Sequence, residues 1–348
     1  MKRLRSLRWL VWLALPVLLV WLMHSIPFDD IRDVLVSINP LALVGLIAFN
    51  AFAMLIFSSR WWLALRAQGH RLGYWSIFRY RMAAFAISYF TPGTQFGGEP
   101  LQVYTISSRH AVPAATAVAS VTLDKLFELL ANFTFLVVGI LVILQKKLIL
   151  NLSSGVGTFG AAGLLALPLA YLVLLWCGRS PLSWLVTRLS GRLPATLKAR
   201  LKVRTILDVA KTAEGQLHSL FRRKPLAVLW VVGASALIWL LSLAEFWLAL
   251  WVLGAKLDVW QAVAVLTVSR LAFMTPVPAG LGALEAGQML ALGSMGFNPA
   301  IGLAISLWIR VRDTALGLIG LWWGAGLMDK SSGEAYQPVH SLPSQAGD

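Results

Sequence analysis

A chain of 348 residues that is 58% hydrophobic and only 13% charged, with a mean hydropathy of +0.73, has too little polar surface to close a soluble globule. Its net charge of +15 would suit nucleic acid in a soluble protein. Here most basic residues stand beside apolar runs, the pattern of positive-inside loops facing anionic headgroups, so no nucleic-acid partner is expected.

The basic start KRLRSLR runs into an apolar stretch from Trp9 to Met23 with no small-x-small cleavage site after it. That predicts an uncleaved first span with its basic end in the cytoplasm. The next loop, with Asp29, Asp30 and Asp33 against Arg32, fits the outside. Pro40 to Phe57 is the second span and returns to a cytoplasmic segment carrying Arg60, Arg66, Arg71, Arg79 and Arg81, with Trp61 and Trp62 at the interface. From Met82 to Phe90 the chain is apolar but far shorter than the roughly 20 residues a helical crossing needs. It breaks at Pro92 and Gly93 and, after Glu99, reaches Arg109 and His110. A re-entrant hairpin over 82–109, entering and leaving on the cytoplasmic face, satisfies both length and charge.

Ala114 to Leu144 reads as one helix of about 46 Å at 1.5 Å per residue, placing Asp124, Lys125 and Glu128 near the bilayer midplane. Gly157 to Cys177 crosses back into the most basic stretch, Arg179 to Lys224. Within it Ile206, Leu207, Ala210, Leu217, Leu220 and Phe221 recur at helical spacing. They predict an amphipathic helix on the cytoplasmic leaflet, in contact with anionic lipids. Leu226 to Leu253 crosses outward, Val263 to Met274 enters again, TPVPAGLGALE breaks, and Ala286 to Phe297 leaves. Pro299 to Leu327 is the last crossing, with Arg310, Arg312 and Asp313 at depth, before a polar cytoplasmic tail at 329–348 that is expected to be disordered.

The predicted fold is an all-α polytopic membrane protein. It has one transmembrane domain over 1–328, with six full crossings, two opposed re-entrant hairpins and both termini inside. Charge counting is equally satisfied if 82–109 and 259–297 are pairs of short full spans, giving about eight to ten in all.

The two breaks repeat each other. PGTQFGGEP and PAGLGALEA align without a gap at an offset of 186, which carries Pro92 onto Pro278, Glu99 onto Glu285 and Pro113 onto Pro299. Repeats at about 80–144 and 262–327 that enter from opposite faces form an inverted-topology pair, the architecture of many secondary transporters.

Charges at membrane depth cost at least about 2.5 kcal/mol each, so those present are candidates for function. Arg270, Arg310 and Arg312 are expected to hold an anionic headgroup bidentately. Glu99 and Glu285 are expected to shape or gate the half-loops. Gly97, Gly98, Gly280 and Gly282 permit unwound backbone whose N–H groups face an anion. Asp124, Glu128 and Asp313 are candidate proton or cationic-headgroup sites. The same charges also read as internal ion pairs, and the same glycines as close helix packing.

Cys177 is the sole cysteine, the histidines lack ligand spacing, and no Walker loop, nucleophile elbow or zinc motif occurs, so no metal, cofactor or ATPase site is expected. The GxxxG at Gly320 and Gly324 leaves self-association open.

With PGTQFGGEP followed by a helix carrying DKLFE, and PVPAGLGALEA followed by RVRD, the sequence resembles the lysylphosphatidylglycerol synthase transmembrane-region family, also called flippase-like, over about residues 8 to 328. Members are similar to the membrane half of the bacterial multiple peptide resistance factor, which moves aminoacylated phosphatidylglycerol between leaflets. The resemblance implies an inner-membrane lipid translocase with a charged-headgroup substrate. Pro92, Gly93, Gly97, Gly98 and Glu99 look like the family's first loop, Asp124 and Glu128 like its acidic helix, and Gly280, Gly282 and Glu285 like its second loop. The sequence shows no aminoacyltransferase domain, so synthesis of lysylphosphatidylglycerol is not expected and the headgroup stays open. Two other activities fit the same residues: a membrane-embedded transferase using the midplane acids as general base, and a non-catalytic assembly partner docked through the basic loop at 178–225.

Overall fold

The computed structural model describes residues 39–91, 97–149, 154–191, 203–274 and 282–329. The expected first span at 9–23, Pro92, Gly93, Pro278, Gly280 and the tail lie outside the described residues. Among those described, every regular element is a helix. In order they are α1 (Pro40–Phe57), α2 (Ser59–Ala67), α3 (Tyr74–Phe90), α4 (Glu99–His110), α5 (Ala114–Lys146), α6 (Ser154–Trp176), α7 (Pro181–Gly191), α8 (Val203–Arg223), α9 (Pro225–Val252), α10 (Val259–Phe273), α11 (Ala283–Ser294) and α12 (Pro299–Asp329).

Length and apolarity make this a helical membrane protein. Among the described residues three helices are long and apolar enough to cross: α1 with α2 as one 28-residue unit, the 33-residue α5 and the 28-residue α9. The bent pair α6–α7 adds a fourth if it counts as one span. α12 has 31 residues, about 46 Å of helix, but carries Arg310, Arg312 and Asp313 in its middle. α1 starts where the Asn39 side chain accepts from Leu41 N at 2.9 Å, with Pro40 occupying the first helical position.

Two segments differ from the sequence expectation. α3 begins at Tyr74 rather than Met82, so it contains Arg79 and Arg81, and Arg81 is buried. α2 continues the second span, so Arg60 and Trp61 lie in the protein interior instead of at a membrane surface. The cause is pairing in both cases: the two guanidinium groups meet carboxylates on α5, and the Trp61 indole N–H donates to Ser120 Oγ at 3.3 Å.

α8 also departs from expectation. Its stripe of Ala213, Leu217, Leu220 and Phe221 is buried against Ala64 and Ala67 of α2, Leu123 and Phe127 of α5, and Val231 of α9, and Ala210 is buried as well. From Ala210 to Phe221 the apolar face predicted for a leaflet is covered by the protein, while Ile206 at its start stays exposed.

Each broken unit is crossed by a long helix from the far end of the chain. α3 and α4 form the first unit, and α3 packs along α12. α10 and α11 form the second, and α10 packs on α5. Missing Cβ atoms permit the closest of these approaches. A Cβ on Gly98 would collide with the Ala84 carbonyl on one side of α3, and one on Gly320 with the Met82 carbonyl on the other. The GxxxG motif of α12 is therefore occupied inside the chain, with Gly324 facing Ala83.

We predict that Gly98→Ala and Gly320→Ala each lower stability by about 1–3 kcal/mol through overpacking. Gly326→Ala, whose Cβ would meet nothing within 4 Å, should be silent. Thermal unfolding in lipid nanodiscs checks this, and equal midpoints for all three would contradict the close approach.

Candidate functional site

The charged side chains predicted at membrane depth gather into two groups, one for each broken unit. In the first, Arg60 Nε donates to Asp124 Oδ1 at 2.7 Å and its Nη2 lies 3.2 Å from Glu128 Oε2. Arg81 makes the matching pair of contacts, through Nη1 to Asp124 Oδ2 and through Nη2 to Glu128 Oε2 at 3.3 Å. The i, i+4 spacing of Asp124 and Glu128 puts both carboxylates on one face of α5, so two guanidinium groups can span them. Lys125 completes the group, 2.8 Å from Glu128 Oε1 and 3.3 Å from Glu99 Oε1.

The second group lies on α9, α11 and α12. Arg310 Nε donates to Glu285 Oε1 at 2.7 Å, with Nη2 2.5 Å from the same oxygen. Arg312 holds Glu245 Oε1 at 2.5 Å and Asp313 Oδ1 at 2.8 Å, and Asn50 Nδ2 on α1 donates to the same Glu245 oxygen at 2.9 Å. Glu245 and Asn50 were absent from the sequence candidates, as were Arg60 and Arg81.

Once they are included, charge balances within each group. Arg60, Arg81 and Lys125 face Glu99, Asp124 and Glu128, while Arg270, Arg310 and Arg312 face Glu245, Glu285 and Asp313. No protonated acid is needed for neutrality.

Arg270 is held differently from the rest. It makes no ion pair among the described residues, its guanidinium sits 5.0 Å over the Trp239 ring, and its buried Nε has no hydrogen-bond acceptor. Trp239 is fixed by stacking on Phe135 at 4.7 Å. Around Arg270 stand Glu128 of the first group and Glu245, Arg312 and Asp313 of the second.

The glutamates at the two breaks have matching roles. Glu99 opens α4, accepts Gly97 N at 2.9 Å and pairs with Lys125 of the following long helix. Glu285, in the first turn of α11, accepts Gly282 N at 2.9 Å and pairs with Arg310 of its own following long helix. Gly97 and Gly282 have φ of +145° and +78°, backbone that glycine tolerates best. The amides expected to face an anion are therefore already engaged, since Gly98 N donates to Ser88 Oγ at 2.9 Å as well. Gly280 lies outside the described residues.

Comparison with known proteins finds membrane proteins along nearly the whole chain. The family model described as "Lysylphosphatidylglycerol synthase TM region" matches residues 9–320. The UPF0104 membrane protein MJ1595 of Methanocaldococcus jannaschii is 21% identical over 321 residues, covering 90% of this chain and 94% of that protein.

If neutrality is what holds the first group together, Asp124→Leu should cost about 3–5 kcal/mol, because Arg60 and Arg81 then share one carboxylate. Adding Arg60→Met should recover most of that loss. Monodisperse yield and unfolding midpoint after detergent extraction read the difference, and a double variant no better than the single one would refute charge balance as the cause.

Proposed function

The chain belongs to the lysylphosphatidylglycerol synthase TM region family, and from that premise we propose that it is a lipid translocase of a bacterial inner membrane. It moves a phospholipid, glycolipid or isoprenoid lipid between leaflets without changing its covalent structure. The observation that carries this reading is Arg270, a cation at membrane depth whose charge completes the balance of the second group but whose buried Nε has no hydrogen-bond acceptor and whose guanidinium makes no ion pair among the described residues. A guanidinium in that position recognises a phosphate through charge-assisted, forked hydrogen bonds. Arg310 and Arg312 are committed to carboxylates, so they shape the polar track and hand Arg270 the anion rather than holding it first.

The two broken units act as an inverted-topology pair with both termini in the cytoplasm. Support comes from their matching order: helices of 17 and 15 residues, a break, helices of 12 and 12, then long helices of 33 and 31. In each unit a glutamate ties the break to the following long helix. Glu99–Lys125 and Glu285–Arg310 are then half-gates on opposite sides of Arg270, one loosening as the lipid enters and the other as it leaves. Asp124, Glu128 and Asp313 provide the acids that would couple the cycle to protons.

Proteoliposomes carrying headgroup-labelled lipids, anionic and zwitterionic in turn, test this. Arg270→Met should slow protein-dependent transbilayer movement by about ten- to a hundredfold, the range expected for losing a charge-assisted hydrogen bond of roughly 1.5–3 kcal/mol. Because the second group is then left with one carboxylate in excess, the unfolding midpoint should fall as well, so rates are compared per folded protein. Glu99→Gln and Arg310→Ala should slow movement too. Unchanged rates in Arg270→Met for every lipid transported would overturn the assignment. No movement by folded wild-type protein with any lipid would overturn the translocase.

A further inference from the structure

The turn between α6 and α7 is fixed from a third helix. The axes of the Leu165–Trp176 part of α6 and of α7 diverge by 106° across a four-residue break. Glu214, buried on α8, accepts the backbone N–H of Leu182 at 2.7 Å and of Ser183 at 3.1 Å, and the Ser183 hydroxyl at 2.5 Å. Its carboxylate thus sits on the first turn of α7, where unpaired amides and the helix dipole favour an anion. One turn further along α8, His218 Nδ1 lies 2.8 Å from the Leu175 carbonyl oxygen at the end of α6. The imidazole also covers Gly178, whose φ is +77°. One face of α8 therefore satisfies the last turn of one helix and the first turn of the next.

A short helix held this firmly would ordinarily bury an apolar side against the bundle, and α7 does not. Ser183 is its only buried residue, while Trp184, Leu185 and Leu189 are 59%, 45% and 55% exposed. Trp184 and Arg188, like Leu185 and Leu189, are i, i+4 pairs, so the four form one stripe. The Arg188 guanidinium lies 5.3 Å over the Trp184 ring. Between Arg179 and Gly191 the chain carries two arginines and no acidic residue. Exposed Arg204, Lys211, Arg222 and Arg223 on α8 extend the positive charge, against a single exposed acid there, Asp208.

We propose that α7 is a membrane-surface helix that binds an anionic leaflet. An axis about perpendicular to the preceding span lies in the plane of the bilayer. The stripe then places Trp184, Leu185 and Leu189 at the acyl boundary, with Arg179 and Arg188 reaching phosphate. Positive charge without acids suits an anionic lipid surface, and a tryptophan paired with an arginine suits the headgroup layer. The helix assigned to the leaflet from sequence periodicity, α8, instead serves as the bracket that sets the angle of α7. This inference does not depend on lipid translocation.

Fluorescent labelling tests it in full-length protein reconstituted in nanodiscs containing phosphatidylglycerol. With Cys177→Ser removing the native thiol, Leu185→Cys, Leu189→Cys and Thr212→Cys are made singly and labelled with bimane; Thr212 is the exposed reference on α8. Lipid spin-labelled near the headgroup should quench positions 185 and 189 at least about twofold more than 212, as insertion at the interface requires, while aqueous iodide should show the reverse order. Adding Arg188→Glu should reduce the lipid quenching at 189. Iodide access at 185 and 189 equal to that at 212 would overturn the proposal. Protection from both quenchers would overturn it too, because the stripe would then be covered by protein, a second copy of the chain or another partner. Transport plays no part in the readout, so a failed translocase assay leaves this test standing.

Discussion

Charge placed inside a hydrocarbon layer has to be cancelled within a few ångströms, and that requirement organises the interior of this protein. Asp124 and Glu128 on one face of α5 draw Arg60 from α2 and Arg81 from α3 into the bundle, and Lys125 brings in the start of α4. Glu245 does the same for α1 and α12. Helices that share no run of sequence are fixed in register by these contacts, since a shift of one residue would turn each charge away from its partner. Such pairs are poor sources of net stability but strong sources of specificity when a mismatch strands a charge. In lipid, where apolar packing barely distinguishes one helix neighbour from another, specificity of this kind is what a bundle lacks otherwise.

The close backbone contacts act along a second direction. α3 is gripped between Gly98 and Gly320, and Gly139 of α5 lies directly against Thr267 of α10. Each broken unit is thereby clasped by the long helix belonging to the other. Neither unit can move as a body without sliding a long helix, and each long helix carries the cation that reaches back to its own unit's glutamate.

Much of this was legible in the sequence, for physical reasons that also mark where reading stops. Proline discloses the two breaks because it lacks the N–H that a helix needs, glycine because helix formation costs it the most backbone entropy, and Glu99 and Glu285 stand out as carboxylates that apolar surroundings make costly. Arg60 and Arg81 were assigned to a surface because basic residues following an apolar run look like its flank. Their partners are 64 and 43 residues away, and only the need of Asp124 and Glu128 for two cations pointed to them. Glu245 was visible as a lone carboxylate in α9, but nothing local names Arg312, 67 residues on. Periodicity finds the stripe on α8 without saying whether lipid or protein covers it, and a GxxxG reads the same whether its partner is α3 or a second chain.

The order of synthesis adds a consequence of the pairing on α5. Arg60 and Arg81 leave the ribosome before Asp124 and Glu128 exist, and Glu245 precedes Arg312 in the same way. Neither arginine on α2 or α3 can settle in hydrocarbon alone at an acceptable free energy, so those helices have to wait at the insertion machinery or the interface until α5 arrives. Membrane integration therefore proceeds in two instalments, the first closing with α5 and the second with α12. A chain cut after α9 would hold one neutral group and one stranded carboxylate, Glu245, an imbalance that quality control could detect without sensing shape.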